Sequence, residues 1–106
     1  MSFEHSAKDI KLHGHTLKAK LMKGNGELNE DDFDLDRVIG NSHGKLVWNS
    51  GGFSDSAKDI SIQQGGPGKP VVLRCWAGDG EGGHNYVELN LGEKIANKDG
   101  HFHYTN

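Results

Sequence analysis

The octapeptide FEHSAKDI at residues 3–10 returns as FSDSAKDI at residues 53–60, a displacement of 50 residues. Further matching segments follow in the same order along the chain: 24–27 with 78–81, 35–41 with 91–97, Gly44 with Gly100, and Trp48 with Tyr104. Tandem units of this size cannot bury an apolar face alone, so they must pack against one another. The sequence therefore predicts one domain over residues 1–106, built from repeats 1–50 and 51–106, with a pseudo-twofold axis and two equivalent sites.

The composition excludes several classes of protein. Sixteen glycines and a mean hydropathy of −0.70 indicate a globule rich in turns. The net charge of −3 offers no basic surface for phosphate backbones, so no nucleic acid partner is expected. No apolar run approaches the ~20 residues that a membrane span requires, so no membrane insertion is expected.

The cysteine content and the sequence of residues 1–5 both indicate the cellular compartment of the protein. Cys75 is the single cysteine, so no intrachain disulfide can form, and residues 1–5 lack the features of a signal peptide. Both observations favour a cytoplasmic protein, with unconventional secretion as the open alternative. The glycine-containing segment 49–52 is the expected hinge between the repeats. We expect a monomer, and such a hinge also permits a domain-swapped dimer.

Alternating apolar and polar residues predict half-buried strands near 17–21 and 71–75. The Asn-Gly pair at 25–26 and the Asp-Gly pair at 79–80 are expected to form two-residue hairpin turns. Other expected elements are further strands near 33 and 86–89, single helical turns within 34–41 and 90–97, and closing strands at 45–48 and 101–104. Segment 63–70 has no counterpart in the first repeat and is expected to be a surface insertion.

Two serines fit the start of a short helix. Ser6 and Ser56 each stand three residues before an aspartate, a spacing typical of helix N-caps. A surface loop is the alternative for both segments.

No cofactor, metal or catalytic site is expected. Segment 32–36 lacks the glycine and the bidentate glutamate that a calcium loop needs. His13 with His15, and His101 with His103, could each share one side of a strand, but two imidazoles do not complete a zinc site. No nucleophile–base pattern is present, and Cys75 is expected to fill the core.

The two repeat endings carry the most specific pattern. Residues 35–48 read LDxxIGNxxGxLxW and residues 91–104 read LxxxIANxDGxFxY. Each repeat also opens with a phenylalanine, Phe3 or Phe53, ahead of the sequence Ser-Ala-Lys-Asp-Ile. In these features the chain resembles the cyanovirin-N homologue family of lectins over essentially its whole length, and in particular the fungal members that lack disulfides.

The resemblance implies an all-β fold of two pseudo-symmetric lobes that exchange strands between repeats. Each lobe would hold a three-stranded sheet, a β-hairpin and short helical turns. Lobe A would span about 1–38 plus 96–106, and lobe B about 39–95. The disulfides of founding members would fall on Ala7 with Leu21 and on Ala57 with Cys75.

The implied function is non-catalytic binding of terminal α1,2-linked mannose, so the expected partners are mannose-containing oligosaccharides or glycoproteins. Each site would combine the start of a repeat, a hairpin turn and the turn before a closing strand. The candidate residues in lobe A are Ser2, His5, Ser6, Lys23, Gly24, Asn25, Asn97, Lys98 and Asp99. Those in lobe B are Asn41, Ser42, His43, Asp55, Ser56, Trp76, Ala77 and Gly78.

Lobe A is expected to hold the effective site. Asp99 can accept two hydrogen bonds from sugar hydroxyls, and Asn25 and Asn97 can both donate and accept. In lobe B, His43 stands where an acidic residue is usual, and Gly78 stands where the founding member has an arginine that closes over the ligand. This site is therefore expected to be weak or silent. The alternative function is an interaction module of the same fold that has lost or altered its sugar binding.

Overall fold

Two three-stranded antiparallel sheets, one from each repeat, form the body of the protein in a computed structural model that describes residues 2–105. The strands are β1 (Ala7–His13), β2 (Thr16–Met22), β3 (Leu28–Asp34), β6 (Ala57–Gln64), β7 (Val71–Gly78) and β8 (His84–Asn90). The central strands β2 and β7 alternate buried and more exposed residues, as their sequences predict. The ends of the predicted domain, Met1 and Asn106, lie outside the described residues.

Two short hairpins are exchanged between the repeats. They consist of β4 (Ile39–Asn41) with β5 (Leu46–Trp48), and β9 (Ile95–Lys98) with β10 (His101–Tyr104). The hairpin of the second repeat docks on the first sheet, where the Phe102 amide donates a 2.9 Å hydrogen bond to the Asp31 carboxylate. The hairpin of the first repeat docks in turn on the second sheet. The predicted all-β, two-lobed fold is thus confirmed, with extents of 50 × 25 × 20 Å.

Four 3-10 turns connect these elements: Phe3–Ser6, Leu35–Arg37, Phe53–Ser56 and Leu91–Glu93. Asp34 and Asn90 cap the second and fourth, because their side chains accept a hydrogen bond from the amide two residues ahead. The predicted helical turns are therefore present but shorter than expected. Among the described residues, no helix has the length and apolarity needed to cross a membrane.

The prediction that Ser6 and Ser56 are N-caps is wrong. Both serines end a 3-10 turn, and strands β1 and β6 begin at the next residue. These strands escaped the sequence analysis because each contains a β-bulge at an aspartate, Asp9 or Asp59, where φ is 54°. A bulge inserts one extra residue, so the period-two pattern of the strand is lost.

The hairpin turns are also longer than predicted. β2 and β3 are joined by residues 23–27, and β7 and β8 by residues 79–83. Within the first turn the Gly26 amide bonds to the Lys23 carbonyl at 3.0 Å, and Gly26 takes the positive φ of 88°. Asn25 does not have a positive φ, so the turn is a five-residue connection rather than a two-residue one.

Histidines at the strand ends differ from expectation in one of two cases. Gly14 and His15 form the turn between β1 and β2, so His13 and His15 do not share a strand. His101 and His103 do lie on the same exposed side of β10, as predicted.

One hydrophobic core runs through both lobes. Its largest members come in pairs from the two repeats, and they are Phe3 and Phe53, Leu17 and Leu73, Leu35 and Leu91, and Ile39 and Ile95. Near the pseudo-twofold axis the equivalent residues Trp48 and Tyr104 pack with ring centroids 5.9 Å apart. Shared packing of this kind explains why neither repeat forms a separate domain.

The two halves differ where the first 3-10 turn of each repeat meets the other repeat. In one half the Ser54 amide and hydroxyl donate to the Asp36 carboxylate, the amide at 3.0 Å. In the other half the buried residue is Glu4, and it faces Gly92, where a Cβ atom would lie 2.6 Å from a Glu4 oxygen. The carboxylate therefore lies on the opening 3-10 turn in one contact, as Glu4, and on the facing 3-10 turn in the other, as Asp36.

The register of the sheets corrects one pairing. Ala7 lies opposite Leu21 as expected, but Ala57 lies opposite Ala77, two residues beyond the predicted Cys75. Six extra residues in the β6–β7 connection change the displacement between the repeats from 50 to 56, so the counterpart of Leu21 is Ala77 and not Cys75. Cys75 itself is 1% exposed, and burial raises the pKa of its thiol, which fits an apolar filler.

This register predicts where a crosslink can form. In a Cys75→Ser background, Ala57→Cys with Ala77→Cys should oxidise to a disulfide and raise the free energy of unfolding by about 2–4 kcal/mol. The control is Ala57→Cys with native Cys75, whose side chains are diagonal neighbours roughly 7 Å apart and out of bonding range. Thiol titration and chemical denaturation measure both, and a disulfide in the control alone would refute the register.

Candidate functional site

In lobe A one asparagine joins three chain segments that are remote in sequence. The Asn97 side-chain amide donates to the Ser6 hydroxyl at 2.8 Å and to the Met22 carbonyl at 2.9 Å. Its oxygen accepts the Gly100 amide at 2.8 Å. The start of the repeat, the end of β2 and the β9–β10 turn are thus held together, as the three-segment prediction requires.

Lobe B repeats this arrangement with Asn41. The Asn41 amide donates to the Ser56 hydroxyl at 2.7 Å and to the Gly78 carbonyl at 2.9 Å. Its oxygen accepts the Gly44 amide at 2.8 Å. Both N–H donors of each asparagine amide are used within the protein, so these side chains hold the three segments together and have no free donor for a ligand.

The lobes diverge at the turn residue that follows. Asp99 and His43 both adopt a left-handed conformation, with φ of 49° and 50°. The Asp99 carboxylate accepts the Gly24 amide at 2.8 Å, which fixes one oxygen and leaves the other free to accept from a ligand. In lobe B a Cβ atom on Gly80 would lie 3.9 Å from the His43 ring nitrogen Nδ1, so the imidazole occupies the corresponding place.

The opening 3-10 turns also differ between the lobes, in the opposite sense to Asp99 and His43. His5 and Asp55 are equivalent positions in the two opening 3-10 turns, and both are exposed. Each lobe therefore carries one carboxylate and one imidazole, but on opposite segments. The prediction that lobe B is weak rested on Asp99 and His43 alone, without the exchange between His5 and Asp55.

The remaining lobe A candidates divide by what their polar groups already bind. The Ser2 hydroxyl donates to the Gly92 carbonyl at 3.0 Å, and the Asn25 side chain bonds to Glu27 through its amide and its oxygen. The Lys23 side chain packs beside Gly100, where a Cβ atom would lie 2.7 Å from the lysine Cγ. Lys98 is exposed at the end of β9. Asn25 therefore shapes its own turn instead of pointing a free amide at a ligand.

In lobe B the candidates border an open cleft of about 530 Å³. Its lining residues are Asn41, Ser42, His43, Val47, Ser50, Ser56, Gly78 and Gly80. Val47, Ser50 and Gly80 were not predicted, although the displacement of 56 would have revealed Gly80 as the counterpart of Gly24. By the same correction, the position expected to carry an arginine moves from Gly78 to Gly80, which is also glycine.

Asp55, Trp76 and Ala77 were predicted for lobe B but are not among the residues that line this cleft. Ala77 is fully buried and packs into the core from β7. Trp76 lies on the outer face of the second sheet, 41% exposed, with its ring centroid 5.5 Å from that of Tyr86.

One side-chain cluster among the described residues has the spacing of metal ligands. His15, Asp34 and Asp36 offer atoms within 4.8 Å of one another. These atoms are already used, because His15 Nδ1 lies 2.7 Å from the Asp34 carboxylate and Asp36 accepts from Ser54. The cluster is an ion-pair network between the β1–β2 turn and the first contact of the second repeat.

The site as a whole offers backbone amides, hydroxyls and carboxylates on shallow, solvent-facing turns. Such groups exchange hydrogen bonds with the hydroxyls of a ligand, which is the chemistry of a carbohydrate-binding protein. The chain matches the family model described as the CVNH domain over residues 3–103. It belongs to the cyanovirin-N homologue family, whose members are carbohydrate-binding lectins and not enzymes.

Individual relatives agree with this assignment. A cyanovirin-N homolog from Neurospora crassa is 31% identical over 107 residues, covering 96% of each chain. A designed cyanovirin-N homolog lectin, LKAMG, is 29% identical with a TM-score of 0.91, covering 99% of this chain and 100% of its own. Microvirin, solved as a mannobiose complex, shares the fold at 23% identity with a TM-score of 0.86, over 97% of each chain.

The His15 network predicts a pH-dependent stability. The hydrogen bond to Asp34, with a smaller contribution from Asp36, raises the pKa of His15 above its usual value. The imidazolium therefore stabilises the fold fully below about pH 6.5, and this contribution is lost as the pH rises through the higher folded pKa. The side chain is 41% exposed, so we expect a loss below about 1 kcal/mol.

Urea denaturation between pH 5.5 and 8.5 measures this loss. His15→Gln should flatten the profile, whereas His13→Gln, which alters an exposed histidine two residues away, should leave it unchanged. A His15→Gln profile that still follows the wild type would contradict the assignment.

Proposed function

We propose that the protein binds the terminal α1,2-linked mannose units of high-mannose glycans, as a monomer and mainly through lobe A. The observation that carries this proposal is the position of the Asp99 carboxylate. One hydrogen bond from the Gly24 amide fixes it beside the three segments that Asn97 joins. A carboxylate oriented before the ligand arrives loses little freedom on binding, so more of its interaction energy appears as affinity.

The groups around Asp99 suit a mannose end. Neighbouring sugar hydroxyls can donate to the free Asp99 oxygen, while the Ser6 hydroxyl and the Lys23 and Lys98 ammonium groups can donate to ring substituents. Gly24 places no side chain over this region, and a Cβ atom there would lie 3.5 Å from the Asp99 carboxylate. A compact polar lining of this kind favours ligands that pair with every group, because an unpaired buried group costs about 1–3 kcal/mol.

Relatives support the same class of ligand. The designed family member LKAMG is a lectin, and microvirin holds mannobiose on the same fold. These relatives do not determine which mannose linkage or which lobe this chain uses, so the linkage and the lobe are parts of the proposal.

The cleft of lobe B is a second candidate site. Its volume of about 530 Å³ can hold one or two sugar residues. Ser56 lines it and follows Asp55 in the opening 3-10 turn of the second repeat. The hairpin turn of lobe B carries an imidazole in place of the Asp99 carboxylate, and the lobe B carboxylate, Asp55, lies on the opening 3-10 turn instead. A charge-assisted acceptor, which contributes about 1.5–3 kcal/mol, is therefore missing at the position of Asp99. We therefore propose a weaker affinity for a mannose end in lobe B than in lobe A.

Paired substitutions test the ranking. Asp99→Asn should weaken binding of α1,2-mannobiose about tenfold to a hundredfold, whereas the matched variant Asp55→Asn should change it less than threefold. NMR titration of both variants reports each lobe separately through the amides of Gly24 and Gly80. Stronger losses in Asp55→Asn would assign the main site to lobe B.

A glycan array separates the lectin from the alternative function. The wild type should retain glycans that end in α1,2-linked mannose over those that end in galactose. Complete silence on the array, with the fold intact by NMR, would favour an interaction module that has lost sugar binding.

A further inference from the structure

Lobe B carries an aromatic pair on its outer surface that the turn-based site does not use. Trp76 on β7 and Tyr86 on β8 are register partners, with ring centroids 5.5 Å apart. They are 41% and 43% exposed, among the most exposed large apolar side chains of the described residues. A pair of adjacent, exposed rings on a flat strand surface is costly in water unless something covers it.

The first repeat shows that the fold does not require these rings. With the displacement of 56, the counterparts of Trp76 and Tyr86 are Lys20 and Glu30, which are register partners on β2 and β3. There the same strand pair carries two charges, and Lys20 also contacts Asp9 at 3.2 Å. The fold therefore accepts charged residues at these two positions, and the aromatic pair is a feature of lobe B alone within this repeat architecture.

The rings are held in place by a polar network along the same face. The Arg74 guanidinium donates to the Tyr86 hydroxyl, which lies 2.7 Å from a Glu88 oxygen. The Arg74 carbon Cζ also lies 5.6 Å from the Tyr86 ring centroid, within the range of a cation–π contact. Tyr86 is thus fixed before any ligand arrives, which lowers the entropic cost of stacking on it.

This surface adjoins the lobe B cleft. A shallow depression of about 470 Å³ beside the rings is lined by Lys58, Asp59, Trp76 and His84. His84 is the register partner of Gly78, which lines the cleft, and a Cβ atom on Gly78 would lie 3.8 Å from His84 Nε2. The cleft and the depression are therefore neighbours along β7, separated by about two residues of one strand.

The chemistry of the surface selects its occupant. A pyranose ring presents a face of C–H groups, which suits an aromatic ring, and a rim of hydroxyls, which suits the charged groups of Lys58, Asp59 and His84. A protein partner would need roughly 800 Å² of surface on each side, far more than two half-exposed rings provide. The match is to a single sugar residue rather than to a protein.

We propose that Trp76 and Tyr86 form a stacking subsite for an inner sugar residue of a glycan whose terminal unit lies in the lobe B cleft. This inference rests on the proposed mannose binding and extends it from a terminal unit to an oligosaccharide. It gives the two lobes different tasks. Lobe A recognises a chain end through a carboxylate, and lobe B gains affinity from the length of the glycan.

The test exchanges the rings for the residues that lobe A carries at the same positions. In the double variant Trp76→Lys with Tyr86→Glu, binding of α1,2-linked mannobiose should be unchanged at either lobe. Binding of the linear α1,2-linked mannotetraose to lobe B should weaken about tenfold, because only the longer probe reaches the rings. The matched control is Lys20→Ala with Glu30→Ala, which should leave the affinity for both sugars unchanged.

Two-dimensional NMR reads each part directly. In the wild type the indole N–H signal of Trp76 should shift with mannotetraose but not with mannobiose, while that of Trp48, packed against Tyr104, stays in place. An unmoved Trp76 signal, or a double variant with the wild-type ratio of tetrasaccharide to disaccharide affinity, would overturn the subsite while leaving mannobiose binding intact. Failure of both sugars to bind would overturn the proposed function as well.

The alternative occupant of the aromatic pair is a second copy of this chain, and sedimentation tests it. If sedimentation shows a dimer of the wild type that the double variant dissociates, the rings cover a second copy of this chain and the sugar subsite is wrong.

Discussion

The whole site depends on one side chain in each lobe, Asn97 or Asn41, which saturates three backbone or hydroxyl groups from three separate segments. Each hydrogen bond alone contributes only about 1 kcal/mol. Their common origin in one amide makes the segments move as a unit, so the left-handed residue that follows is presented at a fixed place. Specificity can then vary at that residue, Asp99 or His43, without disturbing the frame.

The three segments that Asn97 or Asn41 joins are arranged alike in both lobes. The lobes therefore differ in which side chains occupy equivalent positions. The carboxylate lies on the hairpin turn in lobe A and on the opening 3-10 turn in lobe B, with a histidine at the other position. The outer sheet face carries an ion pair in one lobe and an aromatic pair in the other. A single fold thus presents two surfaces of different polarity about one pseudo-twofold axis.

The sequence supported the architecture well and the register poorly. Duplicated segments and the alternation in β2 and β7 were sufficient to predict the sheets, and the polar turns indicated which three segments meet in each lobe. The bulges at Asp9 and Asp59 hid two strands, because one extra residue erases the two-residue period. Six additional residues between β6 and β7 change the displacement to 56, which the pairing of 35–41 with 91–97 already has. The segments around the first hairpin turn were paired at a displacement of 54 instead, so Cys75 was taken for Ala77 and Trp76 for a residue of the cleft. The saturation of Asn25 and Asn97 depends on neighbours distant in the chain, and no local pattern reports it.

Two equivalent contacts, Glu4 with Gly92 and Ser54 with Asp36, show whether one repeat could replace the other. Two copies of the first repeat assembled in the same way would bring Glu4 against Asp36, so that two carboxylates would meet at one covered junction beside the imidazole of His15. Like charge would therefore disfavour the pairing of the first repeat with itself, whereas the pairing of unlike halves places one carboxylate at each junction. The two repeats are complementary at this contact and not interchangeable.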